Sequence, residues 1–404
     1  MTTTTGRRAL TTTADLSVER RALLADTDRC VKCALCLPVC PTYQTERVET
    51  LSPRGRISIV QGLAKGQITP REASPALDSC LACRACERVC PAKVPYGSIL
   101  DRARAQMATQ APRPVDRRVT ALLRSPVTLR VLSTLQRWSR PLPLPKRLRR
   151  WRAMTDAPRA NIRHIDTNAE RGVVYLAGGC VTQAFDAAAN VSLAALFKAC
   201  GFQVETLTGC CGALAQHGGE LKQAQQLARA LAKQATDTAA PIVHAATGCA
   251  AALRDAGDKP ATGFGARVVD PFDLLLDAGI KDHLDLAATH YVRVALHRPC
   301  TQRNVLGGGD ALRALIDELG LPVTELSGVG CCGAAGTHML THPSAARALG
   351  KAMLEPVFDA TPPDVLISSN IGCAWHLRGL LFDEGTKLNV EHPAVFLARF
   401  LKTR

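Results

Sequence analysis

The sequence predicts a two-part protein of mixed α+β and α/β class, in which a mainly helical N-terminal module precedes a duplicated α/β unit with parallel strands. Two observations support this prediction. Near the N-terminus, the run Cys30, Cys33, Cys36 and Cys40, followed by Pro41, recurs fifty residues later. In the C-terminal half, an alternation of strand, cysteine and helix occurs twice, at an offset of about 120 residues.

The N-terminal run has the spacing C-x2-C-x2-C-x3-C-P, which its second copy repeats up to Pro91. In two-cluster ferredoxins, three closely spaced thiolates of one run hold a [4Fe-4S] cluster and the fourth ligand comes from the other run. Zinc ribbons lack the third cysteine and the closing Cys-Pro, and disulfide frameworks belong to small secreted domains. The spacing therefore predicts two [4Fe-4S] clusters. Cys30, Cys33, Cys36 and Cys90 would hold the first, and Cys80, Cys83, Cys86 and Cys40 the second.

Length and composition exclude several classes of protein. The 404 residues suffice for two or three domains, and an aromatic content of 4% leaves few stacking platforms, so we expect no nucleic-acid partner. The Thr-rich N-terminus precedes no signal-peptide core, and no apolar stretch approaches the ~20 residues of a spanning helix. Seventeen cysteines without an export signal indicate a reducing, cytoplasmic location where thiolates bind metals.

The net charge of +15 is concentrated between residues 113 and 152, which contain twelve Lys or Arg and a single acidic residue. With Trp138 and Trp151 interleaved, this segment fits a basic amphipathic contact with an anionic membrane face, here the inner face of the cytoplasmic membrane, or with an acidic partner. The three prolines between 141 and 145 fit equally well a solvated, partly disordered linker.

We predict four segments along the chain. Residues 1–110 form the ferredoxin-type domain, and 111–167 form the basic linker with its possible membrane or partner contact. The first Cys-Cys-Gly repeat covers 168–290, and the second covers 291–404.

Within each repeat, every thiol of the pattern follows a candidate strand. The strands are Val173–Leu176, Val204–Leu207, Ile242–Val243, Val292–Leu296, Val323–Leu326 and Val365–Ile367. Helical patterns between them cover Val191–Cys200, Leu221–Gln234, Ala311–Leu319 and Ala345–Leu354. Because ligand groups of parallel sheets gather at the carboxyl ends of the strands, we expect the four thiols of each repeat to meet.

These thiols are candidate metal ligands, with zinc or an additional iron-sulfur cluster as the occupant. The first set is Cys180, Cys210, Cys211 and Cys249; the second is Cys300, Cys331, Cys332 and Cys373 together with His376. Ala252 stands where the first repeat would need the counterpart of His376. Cys200 fits structural burial, as do the histidines near the thiols, which are His217, His244, His297, His338 and His342.

The sequence lacks a G-x-G-x-x-G dinucleotide fingerprint, a phosphate-binding loop and a C-x-x-C-H haem site. The chain thus carries redox ligands without a recognisable flavin or nicotinamide site, and no catalytic residue can be assigned. We expect a partner chain to carry out the substrate chemistry.

Several stretches together resemble the iron-sulfur subunit family of glycolate oxidase. They are 30–36 with 41–43, 53–57, 77–78, the two Cys-Cys-Gly units, 341–343 and 369–373. The resemblance implies a subunit of an oxidoreductase complex, not catalytic by itself. It would pass electrons from a flavin-bearing 2-hydroxy acid dehydrogenase subunit, through two [4Fe-4S] clusters, toward a quinone-linked acceptor of the respiratory chain.

Similar Cys-Cys-Gly domains in other families keep alternatives open. The chain also resembles heterodisulfide reductase and the iron-sulfur subunits of lactate and glycerol-3-phosphate dehydrogenases. A thiol or disulfide reductase acting at the Cys-Cys-Gly sites, or a structural zinc scaffold, therefore remains in view. Against disulfide reduction, Ala252 and His376 stand where the heterodisulfide reductase pattern has its last cysteine. Arg298 stands where the glycolate oxidase pattern often has an additional cysteine, which argues against a metal in the second repeat.

Overall fold

The computed structural model describes residues 13–110, 118–119, 121–123, 125–139, 141–158, 170–257, 263–285, 292–358 and 361–402. Residues around the expected segment boundaries, namely 111–117, 159–169 and 286–291, lie outside these ranges. The segment boundaries therefore stay predictions.

The N-terminal module consists of short helices around one apolar core. The helices are Thr13–Asp28, Pro41–Glu46, Pro53–Lys65, Pro70–Asp78, Ala85–Arg88 and Tyr96–Gln110, with a 3-10 turn at Glu49–Leu51. Pro41 begins a helix directly after Cys40, where its missing N–H costs nothing. The side chains of Ser52 and Thr69 cap the two following helices, and Leu77, Ile99 and Leu100 fill the core between them. Seven of the eight thiols therefore sit on loops, and Cys86 on the short helix Ala85–Arg88, all held in place by a packed helical frame.

Two helices occupy the basic stretch: Pro126–Trp138 and Lys146–Thr155. The prolines at 141–145 lie between these helices, so they separate two helices instead of preventing them. Helix Lys146–Thr155 packs against helix Ile371–Asp383. Gly379 allows the Met154 side chain to approach closely. Arg150 Nε lies 2.9 Å from Asp383 Oδ2. The described part of this stretch is thus docked on the C-terminal half.

Each repeat is built on a parallel sheet. In the first, β1 (Val173–Ala177) lies between β2 (Gln203–Leu207) and β3 (Ile242–His244). In the second, the order is β5 (Val323–Leu326), β4 (Val294–His297), β6 (Val365–Ser368) and β7 (Asn389–Glu391), all pairs parallel. The six predicted strands are confirmed within one or two residues, and β7 is an additional strand.

Helices cover the sheets of both repeats. In the first they are Cys180–Phe185, Ala187–Ala199, Ala213–His217, Leu221–Ala232, Thr247–Ala256 and Pro271–Asp277, with 3-10 turns at Phe264–Arg267 and Ile280–His283. In the second they are Asp310–Glu318, His338–Thr341, Pro343–Leu354, Ile371–Asp383 and Pro393–Leu397, with a π-helical turn at Gln302–Leu306 and 3-10 turns at Glu355–Phe358 and Ala398–Phe400. Each predicted helix is present. None of the helices in the described ranges is both long and apolar enough to cross a bilayer.

One continuous core joins the two repeats. Val174 and Leu176 of β1 point into it from one sheet, and Val294 and Leu296 of β4 point into it from the other. Alternate residues of the same strands, such as Tyr175 and Ala295, face separate cores on the opposite sides of the sheets. The repeats are therefore packed face to face through this common core.

Candidate metal centres

The two ferredoxin-type runs adopt the same unusual backbone. Lys32 and Ala34 flank Cys33, and Ala82 and Arg84 flank Cys83; all four flanking residues have positive φ, between 50° and 71°. Left-handed conformations are strained for residues other than glycine and concentrate at ligand-binding sites. The two runs, which share the same cysteine spacing, thus also share the same loop conformation around their second cysteine.

Each loop borders a cavity, and the two cavities together are lined by all eight cysteines of the two runs, with Cys86 at the wall of both. One is lined by Cys30, Cys33, Cys36 and Cys90, with Cys86 also at its wall. The other is lined by Cys40, Cys80, Cys83 and Cys86. Four thiols around each cavity fit the ligand set of a [4Fe-4S] cluster, including one cysteine from the opposite run.

Buried positive charge surrounds the second of these cavities. Arg56 is 1% exposed, its Nη1 lies 4.0 Å from Cys40 Sγ, and its other nitrogens donate to Ala76 O and Ser79 Oγ. Burial favours the neutral thiol of Cys80, but the charges of Arg56 and Arg104 outweigh it and lower its pKa. This environment favours thiolate, the form that binds metal.

The first repeat gathers its four thiols at the carboxyl edge of its sheet. Cys180 Sγ lies 3.8 Å from Cys210 Sγ, and Cys211 contacts both Cys210 and Cys249. A hydrogen bond from Cys211 and the adjacent His244, opposed by burial, lower the pKa of Cys249. The expected convergence of thiols is confirmed here.

The second repeat repeats this arrangement. Cys300 Sγ lies 3.9 Å from Cys331 Sγ, and thiol contacts continue from Cys331 to Cys332 and on to Cys373. A ring nitrogen of His297 and the sulfurs of Cys332 and Cys373 all lie within 4.8 Å of one another, and all three residues are buried. Burial, reinforced by the charge of Arg303, lowers the pKa of His297 to about 3, so the imidazole is neutral.

The role of His376 as a metal ligand stays a prediction. Its Nε2 lies 2.9 Å from Ala346 O on the neighbouring helix, so this nitrogen is engaged by a backbone carbonyl. In the described part of the chain, the histidine grouped with Cys332 and Cys373 is His297 instead. The sequence could have indicated His297 through its position at the end of β4, three residues before Cys300.

The ferredoxin-type module touches the thiols of the second repeat. Cys83, Cys300 and Cys331 pack into one apolar cluster with Leu81 and Leu349. Asn304 Nδ2 donates to Cys83 O at 2.8 Å, which fixes the ligand loop against the repeat. Between the module and the first repeat, Arg84 pairs with Asp255 at 2.6 Å. None of the seventeen cysteines, all of which lie in the described ranges, forms a disulfide.

Comparison with known proteins identifies both parts. Residues 26–94 match the family described as 4Fe-4S dicluster domain, and residues 174–254 and 294–378 match the family described as Cysteine-rich domain. The chain is 30% identical to the probable glycolate oxidase iron-sulfur subunit of Bacillus subtilis (strain 168), over 92% of each chain. The chain belongs to the family of glycolate oxidase iron-sulfur subunits.

Two further relatives show how much of the chain each type of subunit matches. The glycolate oxidase iron-sulfur subunit of Escherichia coli (strain K12) is 29% identical over 90% of this chain and 93% of its own length. Lactate utilization protein A 2 of Bacillus cereus (strain AH820) is 25% identical over 55% of this chain and 96% of its own length. The glycolate oxidase type of subunit therefore accounts for nearly the whole chain, and the lactate-related type accounts for about half.

The glycine before Cys180 provides a test of the first thiol site in this family member. A Cβ on Gly179 would lie 2.7 Å from the His244 ring, whereas a Cβ on Gly172 would meet nothing within 4 Å, and both glycines have positive φ. We expect Gly172→Ala to cost about 1 kcal/mol of unfolding free energy from backbone strain alone. Gly179→Ala should cost roughly 1–3 kcal/mol more, because His244 must move.

Anaerobic denaturant unfolding of both variants, followed by circular dichroism, measures this difference. Equal destabilisation by the two substitutions would show that the His244 ring is not held against the loop of Cys180.

Proposed function

We propose that this chain is the iron-sulfur electron-transfer subunit of a flavin-dependent glycolate dehydrogenase complex. Bound at the two cavities of the N-terminal module, [4Fe-4S] clusters supply one-electron carriage between a partner's flavin and a respiratory acceptor. The observation that carries this proposal is that the eight cysteines line two neighbouring cavities, each of which receives thiols from both runs.

The side chains around the cavities suit a charged redox group. Arg56 and Arg104 place two buried cations beside the second thiol set, which offsets the negative charge of four thiolates and stabilises an added electron. Arg56 in turn has its donors engaged by Thr42, Ala76 and Ser79, so its charge is held in position.

The two cavities differ in their access to a partner. Cys33 is exposed, and its neighbours Val31 and Leu35 are 71% and 56% exposed, so the first cavity opens on an apolar surface. The second cavity borders Cys83, which is covered by the second repeat. Since electron transfer requires short distances, we place the flavin-bearing subunit at the surface around Cys33.

Iron content in double variants tests the ligand sets. We expect about eight irons per chain after anaerobic purification, because each cluster contains four. Cys33→Ala with Cys90→Ala should remove one cluster, about four irons, because both thiols serve the same cavity. Cys86→Ala with Cys90→Ala should remove both clusters, although these two cysteines belong to the same run.

Cys200→Ala is the matched control, since Cys200 is buried in the common core far from both runs in sequence and should leave all iron bound. The opposite pattern, with total loss in Cys33→Ala/Cys90→Ala and half loss in Cys86→Ala/Cys90→Ala, would contradict crossed ligation. Zinc in place of iron in the unmodified protein would contradict the proposed function itself.

We further propose that helix Pro126–Trp138 contacts an anionic membrane surface. Val127, Val131, Leu135 and Trp138 are 51–77% exposed and recur at helical spacing, while Leu129 on the opposite face is buried. We call these four residues the apolar stripe. Exposed cationic side chains lie on the same helix, at Arg130 and Arg137, and on the next helix, at Lys146, Arg147 and Arg149.

Hydrogen bonds hold helix Pro126–Trp138 at both of its ends. Ser125 caps its start, and Gln136 Nε2 donates to Asp156 Oδ1 at 3.2 Å. Arg152 Nη1 donates to Ser139 O at 2.7 Å, tying the helix to the next one. An exposed apolar stripe on a helix that also carries exposed cationic side chains is the arrangement of interfacial helices, and this positive charge is complementary to anionic lipid.

Vesicle sedimentation tests this surface. We expect binding to vesicles containing phosphatidylglycerol, weakened by salt, and little binding to phosphatidylcholine alone. Val131→Asp with Leu135→Asp should reduce binding by at least about tenfold, because two apolar contacts are lost and two negative charges are added. Val191→Asp, at a 54% exposed position of another helix, is the control. Equal loss in control and double variant would place the contact elsewhere.

A further inference from the structure

Helix Pro53–Lys65 supplies one arginine to each ferredoxin-type cavity. Arg54 lies at the wall of the first cavity, and Arg56 lies at the wall of the second. The Arg54 side chain is 30% exposed, whereas Arg56 is 1% exposed. The two cavities therefore each receive a cation from the same helix, but only the second cavity receives one that is shielded from water.

The charge of Arg54 is compensated. Its Nε and Nη2 lie 2.7 Å and 3.2 Å from the two carboxylate oxygens of Glu49, and its Nη1 donates to Lys32 O at 3.3 Å. The Glu49 side chain is 51% exposed. Because a bidentate ion pair in contact with water has little net charge, Arg54 has only a small effect on the first thiol set.

The other cations near the first thiol set face solvent. Lys32 lies next to Cys33, and Arg29 Nη2 donates at 3.3 Å to Ala92 O at the wall of the first cavity. Both side chains are exposed, as is Lys93. Bulk water weakens the interaction between two charges about fourfold relative to a typical protein environment, and salt screens it further. These cations therefore act only weakly on the first thiol set.

The charge of Arg56, in contrast, is not compensated by its hydrogen-bond partners. Its Nε donates to Ala76 O at 2.7 Å, its Nη1 to Thr42 Oγ1 at 3.0 Å and its Nη2 to Ser79 Oγ at 3.0 Å. All three acceptors are uncharged. Because a guanidinium group keeps its proton throughout the physiological pH range, a full positive charge stays in the interior of the module.

This charge acts on the second thiol set. Arg56 Nη1 lies 4.0 Å from Cys40 Sγ, and the titratable groups that face the guanidinium are Cys40, Cys80 and Tyr96. Within the described ranges, no carboxylate forms a hydrogen bond or ion pair with Arg56. The second thiol set therefore faces a buried cation whose charge is directed at sulfur.

Two other arginines of this region have acidic groups close to them. Arg84 also lines the second cavity, but its Nε lies 2.5 Å from Glu87 Oε2. Arg104 is 4% exposed and acts on the nearby carboxyl group of Asp101. Of the three arginines, Arg56 therefore has the largest uncompensated effect on the second thiol set.

A hydroxyl group also contacts this thiol set. Tyr96 is 5% exposed, and its Oη lies 3.5 Å from Cys80 Sγ. A sulfur that ligates iron carries no proton, so the phenol is the donor when the cavity is loaded. Among the described residues, the side chains that contact ferredoxin-type sulfurs through hydrogen bonds reach Cys40 and Cys80, and both belong to the second set.

We propose that Arg56 and the Tyr96 hydroxyl raise the reduction potential of the cluster at the second cavity above that of the cluster at the first, an inference that rests on the proposed electron-transfer function. A buried cation and a hydrogen bond to sulfur both stabilise the negative charge that reduction adds. Arg56 thereby draws an electron that enters near Cys33 toward the second cavity. The transfer moves one electron and no proton, and no bond changes.

Redox titration of the full chain, purified anaerobically and followed by electron paramagnetic resonance, tests this difference. We expect two midpoint potentials at least about 59 mV apart, which is a tenfold preference of the electron for one cluster. The Cys33→Ala/Cys90→Ala variant identifies that cluster. The cluster it retains, at the second cavity, should show the higher of the two potentials.

Substitutions at Arg56 and Tyr96 separate charge from structure. Arg56→Gln should reduce the preference at least about tenfold by lowering the higher potential alone, whereas Arg56→Lys keeps the charge and should stay within about threefold. Tyr96→Phe removes only the hydroxyl and should reduce the preference more than about threefold. The matched control, Arg54→Gln with Glu49→Gln, removes a compensated pair and should change the preference less than about threefold.

Iron analysis of the same samples distinguishes the two levels of failure. A chain without iron contradicts the electron-transfer function. A chain with about eight irons overturns the inference alone if its two potentials coincide, if Arg56→Gln leaves the higher potential unchanged, or if Arg56→Lys lowers it as much as Arg56→Gln. Should Arg56→Gln lose iron, Tyr96→Phe decides, and an unchanged higher potential in that variant overturns the inference.

Discussion

Parallel strand pairing requires neighbouring strands to end at the same edge of the sheet, and the chemistry of this chain depends on that requirement. The loops with Cys180, Cys210 and Cys249 follow three adjacent strands, so these thiols meet although long segments separate them in sequence. The same holds for the second repeat, whose edge also receives the ligand loop at Cys83. Apart from Cys200 in the common core, the thiols lie at the carboxyl edges of the two sheets and in the module that contacts both repeats.

The two repeats are not equivalent in this arrangement. The thiols of the second repeat contact the ferredoxin-type module through an apolar cluster, whereas the first repeat meets the module through polar contacts such as Arg84 with Asp255. A further polar contact joins Gln216 Nε2 to Asp101 Oδ2 at 2.6 Å. Burial raises the pKa of Asp101 to about 6, with the Gln216 hydrogen bond opposing this shift. The module is therefore fixed to both repeats, but its cysteines lie against the second repeat.

Much of this organisation was predictable because its signals are local. The ferredoxin-type ligands follow from spacing within eleven residues of each run, and the strands follow from short β-branched segments before each cysteine. Both features are set by the immediate neighbours in the chain. The burial of Cys200 in the common core is likewise as expected for a lone cysteine at the end of a helix.

The remaining features depend on contacts between distant segments. His297 joins Cys332 and Cys373 through strand register, which a single sequence does not reveal, whereas His376 was chosen for its nearness to Cys373 along the chain. In the fold, the hydrogen bond to Ala346 decides where His376 points. The helices of the basic stretch were missed because three prolines suggested a linker, although helix Lys146–Thr155 is held by packing against helix Ile371–Asp383.

The most direct test of the central claim is electron paramagnetic resonance after anaerobic addition of glycolate. In the native complex, glycolate should produce the signal of reduced [4Fe-4S] clusters in this chain, with flavin present only in a different chain. The isolated chain should show no reduction by glycolate, yet should be reduced by dithionite. Glycolate-driven reduction of the isolated, flavin-free chain, or a native complex that turns over while this chain contains no iron, would contradict the account.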